Sequence, residues 1–426
     1  MSRRASLLAV LLAVLPALAW AAEPVLKSGD RVAIVGDSIT EQKLYSKYVE
    51  AYLLACSGVP DLKVLQYGWS GERAGGFADR LENDCAGFRP TVVTLCYGMN
   101  DGSYQPYNDQ IGSTYESNMR RVLAGLEKLG ARAIVVGSPG AVDQHFFRPG
   151  QMMGERAAHV AYNDNLAHLR DISKKLAAEN KQSFANVHDA MFESMKKAQE
   201  ALGSKYPVCG SDGFHPGPNG QLIMAYAFLK GLGLDGNIGE ITVDMKDKGS
   251  ATAGHNVAEA KPGSITLEST RWPFCFDGDG KSANSTRSIT PFLPFNQDLN
   301  RLTLKVTNLD TPKGVVTWGS QTKEFTKEQL AAGINLAAEF DATPFDEPFA
   351  ALVDAIGKKQ NFETYMIKQI ITQFRNYPQE LKADGELQGA LKTIVARLHA
   401  RQAALDAAAR EKLVSVKHTI TVAQLP

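Results

Sequence analysis

Arg31-Val32-Ala33-Ile34-Val35-Gly36-Asp37-Ser38-Ile39-Thr40 is the stretch that decides the fold. Residues 31–35 are mostly small or β-branched apolar side chains without polar alternation, which predicts a strand buried on both faces. Gly36-Asp37 then turns the chain, and residues 39–56 place Leu44, Tyr48, Ala51, Tyr52 and Ala55 at three- and four-residue spacing, the signature of an amphipathic helix. Outward from this unit, runs at 63–66, 91–96, 132–136 and 184–187 read as further strands. Helical patterns at 113–129, 154–179 and 218–232 separate or follow them. Continuous apolar strands alternating with helices predict an α/β domain with a doubly wound parallel sheet. Chemistry in such a sheet is sought in the loops that follow the carboxyl ends of its strands.

The whole chain bounds the possibilities. Its 426 residues suffice for two or three domains. With 46 basic and 46 acidic side chains it lacks the excess needed to neutralise phosphates, so no nucleic-acid partner is expected. Arg3 and Arg4, the apolar run 7–20 and Ala19-Trp20-Ala21 predict a signal peptide over 1–21. The expectation is export, secreted or periplasmic, with no integral membrane segment after cleavage. Five cysteines are an odd number, so at least one is free or pairs between chains. Neither they nor the eight histidines show metal-ligand spacing, and no metal and no cofactor are expected.

Residues 22–236 form the α/β domain on this reading. Residues 237–343 are rich in Thr, Ser, Gly and Pro and alternate in runs such as 241–245 and 302–306, which predicts a small antiparallel β module. Residues 344–413 turn helical, over 349–374 and 386–413, the second through Leu387, Leu391, Ile394, Leu398 and Leu405 with Gln402 as the one polar break. Alternation resumes in 414–426, a strand expected to return to the β module. The helical segment is then an excursion from that module.

Four loops carry chemistry. Ser38 sits at a strand-to-helix turn, where an ordinary N-cap and a nucleophile are both at home. Asp212-Gly213-Phe214-His215 lies just before the last helix of the α/β unit. A turn there lets the Asp212 carboxylate hold one ring nitrogen of His215 and leaves the other for the Ser38 proton. The loops containing Gly71 and Asn100 follow the second and third strands. They offer a backbone N–H and an amide to a developing oxyanion. Trp69, Tyr104 and Phe214 lie in or beside these loops as candidate substrate-binding aromatics, and residues 138–154 are a candidate pocket wall or lid.

In this order, these blocks resemble the SGNH or GDSL hydrolase family over about residues 31–234. The resemblance implies a flavodoxin-like fold and an acyl-ester hydrolase. By block it implies Ser38 as nucleophile, His215 as general base and Asp212 as the group orienting the base. It further implies an oxyanion hole from Ser38, Gly71 and Asn100. The first reading is an exported serine esterase acting on a small-molecule or polysaccharide acyl ester, with deacetylation of polysaccharide as the candidate reaction. A GDSL lipase or phospholipase, and a non-catalytic glycan- or partner-binding protein on the same scaffold, are the alternatives. Glu72, Arg73, Asp101, Ser103 and Gln105 among the loop aromatics favour a hydrated ligand over a long acyl chain.

Overall fold

A computed structural model describes residues 25–148 and 159–426. The expected signal peptide lies outside the described residues, as do Met152 and Met153 of the candidate lid. Strand β1 (Arg31–Gly36) has five buried residues, and its side chains alternate between two cores. Val32 and Ile34 join a core with Tyr48, Tyr52 and Phe228, whereas Ala33 and Val35 join Phe77, Tyr115 and Met119 on the other face. That two-sided burial is why the run carries no polar position.

The sheet is parallel throughout, with β2 (Lys63–Gln66), β3 (Val92–Cys96), β4 (Ala133–Gly137) and β5 (Ser183–Ala185) in the order β2-β1-β3-β4-β5. Connections leave β1 toward β2 on one side and toward β3 on the other, so the loops after these strands diverge and open a crevice at their carboxyl ends.

Three readings of the α/β domain need correction. The helix expected over 39–56 is broken into Ser38–Glu41 and Tyr45–Ala55, with Lys43 between them at φ +58°. No glycine or proline marks the break. It is fixed by partners distant in sequence: the Tyr45 N–H donates to Gln221 Oε1, and the Tyr45 and Thr40 hydroxyls lie 2.7 Å apart. Gly68 closes against the first piece, where a Cβ would collide with the Glu41 backbone nitrogen. The strand expected at 184–187 is Ser183–Ala185, and Val187 instead opens an unexpected helix, Val187–Leu202. A second unexpected helix, Ala74–Cys85, has two glycines in its first turn that hide its periodicity.

The C-terminal region holds two sheets rather than one antiparallel module. In the first, β6 (Asn237–Asp244) runs parallel to Arg301–Thr307, flanked by two-residue strands. The second is antiparallel throughout, and the final strand Val416–Leu425 lies at its centre between Lys313–Trp318 and Ser264–Ser269. The chain therefore leaves this sheet, forms the helical segment and returns to complete the sheet.

Within the excursion, Asp346–Tyr365 is helical but does not continue as one helix to 374. It passes through a wide turn, Met366–Ile370, and a tight one, Ile371–Asn376. It docks on Tyr45–Ala55 through a fully buried cluster in which Lys359 Nζ lies 2.9 Å from Glu50 and 2.6 Å from Glu363, and donates to the Val64 carbonyl. Burial alone would lower the Lys359 pKa, but the two carboxylates hold it above the ordinary lysine range. The helix Gly385–Arg410 buries Gln402, Asp406 and Ala409, whereas Leu387 and Ile394 of its apolar stripe are exposed. Gln402, the apparent break in that stripe, is a docking point: its amide donates to Glu363 Oε1. All five cysteines are free thiols, and no described helix is long and apolar enough to cross a membrane.

Candidate active site

Ser38 opens the helix after β1, and its Oγ lies 2.7 Å from His215 Nε2. The other ring nitrogen, Nδ1, lies 2.7 Å from Asp212 Oδ2. The second oxygen of Asp212 accepts the backbone N–H groups of Phe214 and His215, so one carboxylate both folds the loop and orients the ring. Burial pushes the Asp212 carboxyl up, but the hydrogen bond from His215 and these two N–H groups outweigh it and hold the pKa below the ordinary value. An ionised carboxylate only accepts, so the ring proton sits on Nδ1 and Nε2 turns its lone pair to the serine hydroxyl.

The surrounding cleft, about 500 Å³, is lined by Ser38, Glu41, Gln42, Lys43, Ser70, Ser211, Asp212 and His215, all of them polar. The loop after β2 reaches it through Ser70, whose N–H donates to Glu41, and Glu41 in turn is gripped by Lys368 Nζ at 2.9 Å from both carboxylate oxygens. Gly71 stands exposed at φ +73°, a backbone conformation that glycine adopts without strain. Beneath it, Glu72 is locked to Arg80 at 2.7 and 2.8 Å and accepts the Tyr97 hydroxyl.

After β3, the Asn100 amide donates to the Glu72 carbonyl at 3.1 Å and lies 3.5 Å from Asp37 Oδ2, while its oxygen accepts the Tyr104 hydroxyl. Asp101 accepts the N–H groups of Ala74 and Gly98, pinning this loop to the start of Ala74–Cys85.

Residues 34–223 match the family described as GDSL-like lipase/acylhydrolase. The chain therefore carries a GDSL-like lipase/acylhydrolase domain over those residues. It is an ester hydrolase. Among solved structures, a gut microbial diltiazem-metabolizing enzyme is similar at 22% identity and a TM-score of 0.70, covering 94% of this chain and 98% of its own. That likeness extends the shared fold beyond the family match to the β sheets and the helical excursion. A catalytic mutant of an acetylxylan esterase from Geobacillus stearothermophilus is similar at 22% identity and a TM-score of 0.39, covering 49% of this chain and 96% of its own. A search of curated proteins found no match.

Within this GDSL-like domain, the three aromatics expected to bind substrate are placed differently from one another. Trp69 is half-buried, with the Arg80 guanidinium 4.9 Å and the Lys368 ammonium 5.1 Å from its ring centre. Phe214 is only 4% exposed and packs against His215 from within. Tyr104 is stacked with Tyr162 and Phe147 and spends its hydroxyl on Asn100, so its position is that of a support for the amide. Phe147, part of the expected lid, is buried in the same cluster. Two groups at the site escaped the sequence reading. Lys368 arrives from the excursion, 327 residues from Glu41. Asp37, beside Ser38, is fully buried, and burial pushes its pKa up to about 7 against the Ile39 N–H that it accepts.

Proposed function

We propose that the protein is an exported serine esterase that removes short acyl groups from hydroxyl-rich substrates, with acetylated polysaccharide as the candidate natural ester. The observation that carries this reading is the continuous chain from Ser38 Oγ to His215 Nε2 and from His215 Nδ1 to Asp212, each link 2.7 Å. In this mechanism His215 Nε2 takes the Ser38 proton as Oγ attacks the ester carbonyl carbon. The negative charge passes to the carbonyl oxygen, which is met by the N–H groups of Ser38 and Gly71 and by the Asn100 amide proton that otherwise faces Asp37 Oδ2 at 3.5 Å. The other Asn100 amide proton stays on the Glu72 carbonyl. His215 then gives its proton to the departing alcohol oxygen, and a water molecule repeats the sequence to release the acid and restore Ser38.

The uniformly polar lining supports a short acyl group and a hydrated leaving group over a lipid. Among the described residues, Tyr104, Phe147 and Phe214 pack against one another and none of them lines the cleft. Export rests on the basic start, apolar run and small-residue site within residues 1–21. Comparing acetyl, butyryl, octanoyl and palmitoyl esters tests the acyl preference: kcat/KM falls with each lengthening. A maximum at octanoyl or beyond, with activation at a lipid interface, would establish the lipase reading instead.

A further inference from the structure

The cleft at Ser38 continues past Ser70 into a second hollow of about 350 Å³, walled by Trp69, Gly71, Glu72, Arg73 and Arg375. Three carboxylates line the two hollows, and each already faces a base. Glu41 holds Lys368, Asp212 holds His215 and Glu72 holds Arg80. The cations Lys43, Arg73 and Arg375 also line them, and among the described residues none of the three has a carboxylate within ion-pair distance. Lys43 donates to the Glu41 carbonyl and Arg73 to the Ser103 hydroxyl. Asp101, whose carboxyl feels the Arg73 charge, turns its oxygens to Ala74 and Gly98. Within the second hollow, Arg73 and Arg375 face the single carboxylate of Glu72, whose charge is taken up by Arg80, which also holds Asp84.

We propose that the second hollow is an anion subsite that takes a carboxylate carried by the ester substrate. The inference rests on the ester-hydrolase reading and narrows its substrate class. Two exposed guanidiniums beside an open backbone suit a carboxylate, whose two oxygens match the guanidinium fork, and Gly71 puts that anion next to the reacting carbonyl. The carboxylate has two possible sources. It is a uronate unit of an acetylated polysaccharide, on the alcohol side, or the free end of a dicarboxylic half-ester, on the acyl side. Arg375 comes from the tight turn Ile371–Asn376, so the helical excursion contributes to substrate choice.

Steady-state kinetics of the full chain test the subsite with two matched pairs. One is p-nitrophenyl hemisuccinate against p-nitrophenyl butyrate, and the other is acetylated polygalacturonate against acetylated uronate-free xylan. The anionic member of one pair is favoured in kcat/KM by about tenfold or more, the size of one good charged contact. That ratio shrinks as salt is raised, and it collapses in the Arg73→Gln/Arg375→Gln double variant. Preference in the first pair assigns the carboxylate to the acyl side, and preference in the second to the alcohol side. Equal kcat/KM within both pairs, or a preference indifferent to salt and to both substitutions, overturns the subsite. Turnover of p-nitrophenyl acetate separates the two claims. If it proceeds while both ratios are flat, only the subsite falls. If neither p-nitrophenyl acetate nor any paired ester is turned over, the esterase reading falls and takes the subsite with it.

Discussion

Asp37 lies between the strand and Ser38, and its environment makes a pH-dependent prediction. Its carboxyl is buried and pushed up to about 7, above the value it has in an unfolded chain. A raised folded value means the native state keeps the proton more tightly. The resulting stabilisation is complete below the unfolded carboxyl value and is lost as pH rises through about 7. An asparagine side chain in its place would keep an oxygen for the Ile39 N–H and carry no charge. In Asp37→Asn, unfolding free energy relative to the parent therefore rises by about 2–3 kcal/mol between roughly pH 5 and pH 8. Denaturant unfolding at the two pH values checks this, and an unchanged difference would contradict it. The contact of Asp212 with His215 was legible because one short turn sets it, whereas that of Ser38 with His215 joins residues 177 apart in sequence and followed only from the order of the motifs. The supporting role of Tyr104 was not legible, because it depends on Tyr162 and Phe147, which reach it from other parts of the chain.

At the scale of elements, the loop after β2 is held from two sides, by the buried Glu72–Arg80 pair and by the chain Ser70–Glu41–Lys368. The second tie comes from the wide turn at Met366–Ile370, so an element distant in sequence positions the loop that carries Gly71. Lys368→Met should lower kcat on p-nitrophenyl acetate by about tenfold with KM within about twofold, because loop placement acts mainly on the transition state. Lys368→Arg should restore most of the rate, and Glu41→Gln combined with Lys368→Met should add little to the single loss. A change confined to KM would instead make Lys368 a substrate contact. Strands β1, β3 and β4 were legible because burial on both faces leaves an apolar run, whereas β5 was placed too far along the chain because only Ala185 of it is buried. The break at 42–44 was not legible, since periodicity does not register a helix interrupted by tertiary hydrogen bonds, and the glycines at the start of Ala74–Cys85 concealed that helix.

For the whole molecule, the excursion joins the C-terminal sheets to the α/β domain through charges with no access to water. Lys359 is enclosed with Glu50 and Glu363, and Gln360 and Gln402 add hydrogen bonds. Lys359→Met leaves two carboxylates buried without their cation and should cost about 3–5 kcal/mol, seen as a lower Tm of the domain that holds Ser38. A Tm within about 1 °C of the parent would show that the cluster does not hold the parts together. The return of the last strand was legible from alternation in 414–426. The docking of Gly385–Arg410 was only partly legible: Leu398 of the apolar stripe packs on the core, but Leu387 and Ile394 are exposed and the polar Gln402 makes a buried contact. The central claim is that Ser38, activated by His215, forms the acyl-enzyme. The most direct measurement is kcat/KM of Ser38→Ala on p-nitrophenyl acetate, with thermal unfolding as the control for folding. Ser38→Ala should lose about 10⁴-fold or more at an almost unchanged Tm, with His215→Ala nearly as damaging and the double variant little worse; retention of more than about a tenth of the parent activity by Ser38→Ala would rule out Ser38 as the acylated group.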